Sequence, residues 1–142
     1  MTAAPTILIV DDDPDYVKVL SARLQTRGYE VLTAFDGRAG LEAAQTKRPA
    51  LIILDLLLPR LNGYEVCTLL KQDTRYHRIP IIIFSGKTER KDREIALSCG
   101  ADAYLTKPYT TDELFQQISR LIGMPPPAAP AGPSAAEAPP AS

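Results

Sequence analysis

The chain is poor in several of the features that would decide a protein's class at a glance. It has two cysteines in 142 residues, one histidine and a formal charge of -1, from sixteen basic and seventeen acidic residues. A near-zero net charge supplies no field to hold the chain to a nucleic acid backbone or an anionic membrane, so neither is expected as a partner. No apolar run approaches the ~18 residues of a membrane span, and the start lacks the charged, apolar, small-residue order of a secretory signal, which points to a cytoplasmic, soluble protein. Cys67 and Cys99 are too few for a disulfide framework. Both fall in helix-like segments and read as small side chains without a functional role. A chain of this length can bury a core without metals or disulfides, and one domain is expected.

What the chain does have is alternation. Five apolar runs, each long enough for a buried strand, are separated by helical patterns between residues 6 and 122. Strands are expected at Thr6–Val10, Glu30–Ala34, Leu51–Leu54, Ile79–Phe84 and Ala103–Thr106. Helices are expected from Pro14 to Arg27, from Arg38 to Thr46, from Asn62 and Gly63 to about Asp73, from Glu89 to Cys99, and after Thr110. Thr110 and Glu113 have the spacing of a capping box. Strands apolar on both faces and joined by helices form a parallel sheet covered on both sides, with right-handed crossovers. From Met124 the text becomes MPPPAAPAGPSAAEAPPAS, with one charge, no aromatic residue and nothing to form a packed face. The division is therefore a domain over 1–123 and a disordered Pro/Ala-rich tail over 124–142, read as a semi-stiff spacer. The tail leaves open a stand-alone protein or a module of a longer chain.

In a parallel sheet the residues that follow the strands meet at one edge, where ligands bind. Four of the five runs end at polar residues: ILIV at Asp11 and Asp12, LIIL at Asp55, IIIF at Ser85 and AYLT at Lys107. Each could be a helix cap or a solvated charge. Asp13 before Pro14 already supplies the first cap, however, Asn62 is better placed than Asp55, and Thr88 is nearer its helix than Ser85. Adjacent Asp11 and Asp12 repel unless a cation is present, and read as oxygen ligands for a hard divalent metal. Asp55, ionised beside an apolar strand, needs a partner and suits a nucleophile that forms an acyl phosphate. Ser85 offers a hydroxyl to a phosphoryl oxygen. Lys107, held between a strand and Pro108, offers a point charge.

With ILIVDDDP, LIILDLLLPRLNGYEV, IIIFSGK and GADAYLTKPY in this order, residues 6–122 closely resemble the receiver domain of two-component response regulators, of the chemotaxis-response-regulator type. The resemblance implies a flavodoxin-like (βα)5 sandwich with sheet order 2-1-3-4-5. It implies that Asp55 takes a phosphoryl group from a phosphohistidine on a sensor histidine kinase or histidine phosphotransfer protein. Mg2+, or Mn2+, would be held by Asp12 and Asp55 directly, by the backbone carbonyl of Leu57, and by Asp11 through water. Ser85 and Lys107 would contact the phosphoryl oxygens, the Lys107–Pro108 peptide would be cis, and Tyr104 would be the aromatic that follows Ser85. Output would pass to a downstream protein target through the fourth helix, fifth strand and fifth helix, with a phosphorylation-dependent homodimer as a further option. The domain is then a phosphoacceptor switch rather than an enzyme acting on other substrates.

Departures from the family pattern are few. Leu58 stands where methionine is usual before the proline, and Leu57 and Lys87 occupy two variable positions that influence acyl phosphate lifetime. His77, the only histidine, lies in the TRYHRIP loop away from the cluster, so the phosphohistidine must come from a partner. A phosphatase with an aspartate nucleophile would need a second aspartate where Leu57 stands. An inactive scaffold of the same fold would not need all five polar residues.

Overall fold

The computed structural model describes residues 4–56, 58–85, 94, 98–106 and 110–123, with the side chain of Ser85 outside that set. Five strands, β1 (Thr6–Val10), β2 (Glu30–Ala34), β3 (Leu51–Asp55), β4 (Ile81–Ser85) and β5 (Ala103–Thr106), form one sheet in the order β2-β1-β3-β4-β5. Every neighbouring pair is parallel, as strands joined through helices require. The four described helices are α1 (Pro14–Thr26), α2 (Gly37–Lys47), α3 (Gly63–Lys71) and α4 (Thr111–Ile122). The helix expected over Glu89–Cys99 falls mostly outside the described residues, although Glu94 and Ser98 are helical.

Period-two alternation divides the strands between two cores. Leu8, Val10, Ile52, Leu54, Ile81 and Ile83 join Val66, Cys67 and Leu70 of α3 on one face. Ile7, Ile9, Leu51, Ile53, Ile82 and Phe84 join Val17, Leu20 and Leu24 of α1, and Leu114, Phe115 and Ile118 of α4, on the other. The central strands have no wet face, which is why their sequences are unbroken apolar runs. Each such side chain contributes about 1.5–3 kcal/mol on burial.

Helix starts follow local chemistry. Asp13 caps α1 by accepting from the N–H groups of Asp15 and Tyr16, with Pro14 in the first helical position. Asn62 with Glu65, and Thr110 with Glu113, form reciprocal capping boxes on α3 and α4. Most boundaries fall within one residue of expectation, and two shift by two residues for local reasons. β4 starts at Ile81 rather than Ile79, because the Ile79 N–H is spent in a turn on the Tyr76 carbonyl and Pro80 has no N–H to give. α3 ends at Lys71 rather than near Asp73, whose side chain turns back to accept the Arg75 N–H. Among the described residues no helix is long and apolar enough to cross a membrane.

Candidate functional site

The site is built at the ends of β1 and β3. Asp11 continues β1 by giving its N–H to the Ala34 carbonyl at 3.1 Å, so its backbone is fixed by the sheet. Its Oδ1 accepts the Asp13 N–H at 2.9 Å and its side chain is buried, at 1% exposure. The Asx turn thus holds Asp11 inward while Asp13 caps α1, and Asp12 between them is exposed. Asp13 supplies the cap, as its place before Pro14 predicts.

Asp55 is the last residue of β3, opposite Phe84 in the β3–β4 register and only 7% exposed. The chain leaves the sheet after it through Leu56, whose N–H bonds the Phe84 carbonyl at 3.1 Å and whose carbonyl receives the Gly63 N–H at 2.9 Å. Gly63 is required there. A Cβ at that position would run into the Asp55 carbonyl oxygen, so only glycine lets the first turn of α3 sit under the end of β3. Strand and helix together fix the Asp55 backbone from both sides.

One carboxylate oxygen from each of Asp11, Asp12 and Asp55 lies within 4.8 Å of the others. At that separation two carboxylates repel by roughly 3 kcal/mol at an effective dielectric of about 20. Two of the three are withdrawn from water, which raises the cost further. A hard divalent cation with all-oxygen ligands answers that repulsion, and the donor set of carboxylates fits magnesium. The residues present therefore fit the metal that the sequence pattern calls for.

Ser85 ends β4 opposite Thr106 in the β4–β5 register, which brings that strand end beside β3 and the cluster. Tyr104 of β5 is buried, at 7% exposure, among Ile83, Tyr76 and the other side chains of the first core. Leu57, Gly86, Lys87, Thr88, Lys107 and Pro108 lie outside the described residues. His77 is exposed and stands in the turn before β4, where its N–H bonds the Asp73 carbonyl at 2.9 Å.

Sequence reasoning passed over the wall formed by the start of α2. Asp36 caps that helix through the Ala39 N–H at 2.8 Å and faces Arg60 at 3.7 Å. The Gly37 N–H bonds the Pro59 carbonyl at 3.3 Å, and a Cβ on Gly37 would collide with the Leu61 carbonyl oxygen. These contacts seat the loop that leaves Asp55, and Arg60 within it adopts a left-handed φ of 71°. The Asp-Gly pair before a helical run was the available signal. A second omission was the pairing of Cys67 with Cys99, whose carbonyl accepts from the Cys67 thiol at 3.6 Å.

A family model described as "Response regulator receiver domain" matches residues 7–119. The alkaline phosphatase synthesis transcriptional regulatory protein PhoP of Bacillus subtilis is 40% identical over 116 residues, which cover 82% of this chain and 48% of that protein. RpaA of Synechocystis, named a DNA-binding dual master transcriptional regulator, is 38% identical over 118 residues, 83% of this chain and 49% of its own. The chain spans about half the length of these curated relatives. Among solved structures, the receiver domain of the sensor histidine kinase PA1611 from Pseudomonas aeruginosa has 34% identity and a TM-score of 0.78, covering 85% of this chain and 99% of that one. That structure carries a magnesium ion coordinated in its active site cleft.

Proposed function

This chain belongs to the response regulator receiver domain family, and we propose that it is a phosphorylation-controlled switch in which Asp55 is the phosphoacceptor. The observation that carries the reading is the placement of a buried Asp55 at the end of a central strand, with the oxygens of two more aspartates within 4.8 Å. Receiver domains take phosphoryl groups from histidine kinases. The donor here is a phosphohistidine on a sensor kinase or phosphotransfer protein.

Asp12 and Asp55, the Leu57 carbonyl and, through water, Asp11 are the residues assigned to Mg2+, with Mn2+ as a substitute. When bound, the ion supplies positive charge for the phosphoryl oxygens. The chain's own residues do the rest. Asp55 presents a carboxylate oxygen in line with the P–N bond, and its fixed backbone supplies orientation, the larger part of catalysis for a loose phosphoryl transition state. Lys107 and the Ser85 hydroxyl bind the phosphoryl oxygens. Tyr104 follows Ser85 inward, and the surface made by the helix expected over Glu89–Cys99, β5 and α4 changes its affinity for a downstream protein or a second copy. The shift can be no larger than the stability that the phosphoryl group confers on one state. Loss of the phosphoryl group to water at the same site resets the switch.

The DNA-binding names of relatives describe proteins about twice as long as the matched segment, and the formal charge of -1 argues against nucleic acid binding by this chain itself. The assignment of 1–123 as the receiver domain, of 124–142 as a disordered spacer and of the cytoplasm as its compartment belongs to the same proposal.

Incubation with Mg2+ and acetyl phosphate, followed by intact mass, tests it. The wild type should gain one phosphoryl group, and Asp55→Asn none. No adduct on the folded wild type, or undiminished labelling of Asp55→Asn, would overturn the switch reading in favour of an inactive scaffold.

A further inference from the structure

The two cysteines are 32 residues apart in sequence, yet they meet beneath the C-terminal half of α3. Cys67 is fully buried in the first core and Cys99 is half-buried at its margin. The Cys67 thiol donates to the Cys99 carbonyl at 3.6 Å, which brings the two cysteines into contact. Cys67 and Thr68 of α3 and Ala101 on the approach to β5 thus lie around the Cys99 side chain.

Such a setting favours the thiolate. The hydrogen bond from Cys67 is the main cause, with the Ala101 and Thr68 donors behind it, and together against burial they lower the Cys99 thiol to about 7. The Cys67 thiol moves the other way. It is held protonated first by its bond to Cys99 and then by burial, with the charges of Lys71 and Asp102 acting on it in opposite senses. One cysteine is thus half-buried with its thiol lowered toward neutrality, while its neighbour is buried and held protonated. An attacking and a resolving cysteine divide their roles in this way.

We propose that Cys99 is a site of oxidation by peroxides, with Cys67 as the resolving thiol that converts the first product into an internal disulfide. The Cys99 thiolate attacks one peroxide oxygen. The S–O bond forms as the O–O bond breaks, and hydroxide leaves to become water, giving a sulfenic acid. Cys67 then loses its proton and forms the S–S bond as the S–O bond breaks, releasing a second water. Two thiols are oxidised, and one peroxide is reduced to two waters. The bridge ties α3, which begins directly after the loop from Asp55, to the residues that enter β5. In a reducing compartment it is transient, which suits a signal more than a staple.

The full chain, fully reduced, is treated with one equivalent of hydrogen peroxide and followed by intact mass and peptide mapping. The expected product is a monomer that has lost two hydrogens, with Cys67 and Cys99 in one linked peptide. Cys67→Ser should stop at a sulfenic acid on Cys99 that dimedone captures, and Cys99→Ser should leave Cys67 unoxidised. In the wild type, iodoacetamide labelling of Cys99 should run about tenfold faster at pH 7 than that of an ordinary thiol and reach half its maximum near the pH of its lowered pKa. In Cys67→Ala that midpoint should move up toward the ordinary ~8.5. Three results would each overturn the proposal: both thiols surviving peroxide while folded, a bridge between two chains, or first attack on Cys67.

Discussion

Before β5, at the N-terminal edge of the sheet, Asp102 has its needs met by the fold. Its Oδ2 accepts from Lys71 Nζ at 2.8 Å and from the Ile81 N–H at 2.8 Å, while the same ammonium caps the carbonyls of Ile79 at 2.8 Å and His77 at 3.1 Å. Gly100, at φ 103°, leaves room for the stem of Lys71, which a Cβ would strike at 2.7 Å. At the C-terminal edge Asp11, Asp12 and Asp55 instead bring like charges within 4.8 Å. The first arrangement joins opposite charges and stiffens the turn before β4. The second gathers charges of one sign, an arrangement that repels itself and that a bound cation would relieve. One sheet therefore has a structural edge and a candidate functional edge, and the arrangement of the partners separates them more clearly than burial does.

The largest effect on stability should come from the structural edge. Lys71→Met leaves Asp102 and two carbonyls without their shared donor, and should lower unfolding free energy by about 3 kcal/mol, with Mg2+ affinity unchanged. Denaturant unfolding measures the first quantity and calorimetric titration the second. Adding Asp102→Asn should restore part of the loss, because the stranded charge is then gone. A loss under about 0.5 kcal/mol would mean that the ion pair is ornamental and that the contrast between the edges is false.

That contrast also separates what could be read in the sequence from what could not. The strands were legible because the central ones are buried on both faces and so spelled as pure apolar runs. The caps at Asp13, Asn62 and Thr110 were legible because each acts within three residues of itself. The three aspartates stood out by elimination, once those caps had been assigned elsewhere. The sheet order came from family resemblance rather than from periodicity, which gives a strand its period but not its neighbours. The start of β4 was misjudged because Ile79 is apolar like the strand it precedes, and only Pro80 betrays the turn. Lys71 with Asp102, 31 residues apart, and Cys67 with Cys99, 32 apart, carry no local pattern at all. Both pairs join α3 to the approach to β5, and only the fold brings those together.

The functional edge should answer to metal with the opposite sign. At ten times its Kd, Mg2+ should stabilise the wild type by about 1.4 kcal/mol, and Asp12→Asn should remove most of that increment. In metal-free buffer, Asp11→Asn should unfold at a higher temperature than the wild type, by up to about 1 kcal/mol of stability, since one repelling charge is gone and the acceptor for the Asp13 N–H remains. Thermal unfolding with and without Mg2+ reads both. An Asp11→Asn protein less stable than the wild type in both buffers would place Asp11 with Asp102, as a structural carboxylate, and erase the distinction.

The smallest effect sharpens the comparison by removing burial from it. Asp73 and Arg75 form a pair at 2.8 Å, as short as that of Lys71 and Asp102, but in the open turn after α3. The Arg75 side chain, and then its backbone N–H, hold the Asp73 carboxyl below its ordinary 3.8. A carboxyl lowered in the folded state stabilises at pH values above its unfolded pKa and loses that contribution as pH falls through the folded one. At neutral pH the pair is therefore fully formed, and Arg75→Ala should still leave the unfolding midpoint almost where it was, with any difference vanishing in high salt. As pH falls from 3.8 through the lowered folded value the two proteins should converge. Equal losses from Arg75→Ala and Lys71→Met would show that contact distance alone sets the worth of an ion pair here. The expected inequality assigns that worth to the two carbonyls and the strand N–H that Lys71 and Asp102 serve besides each other.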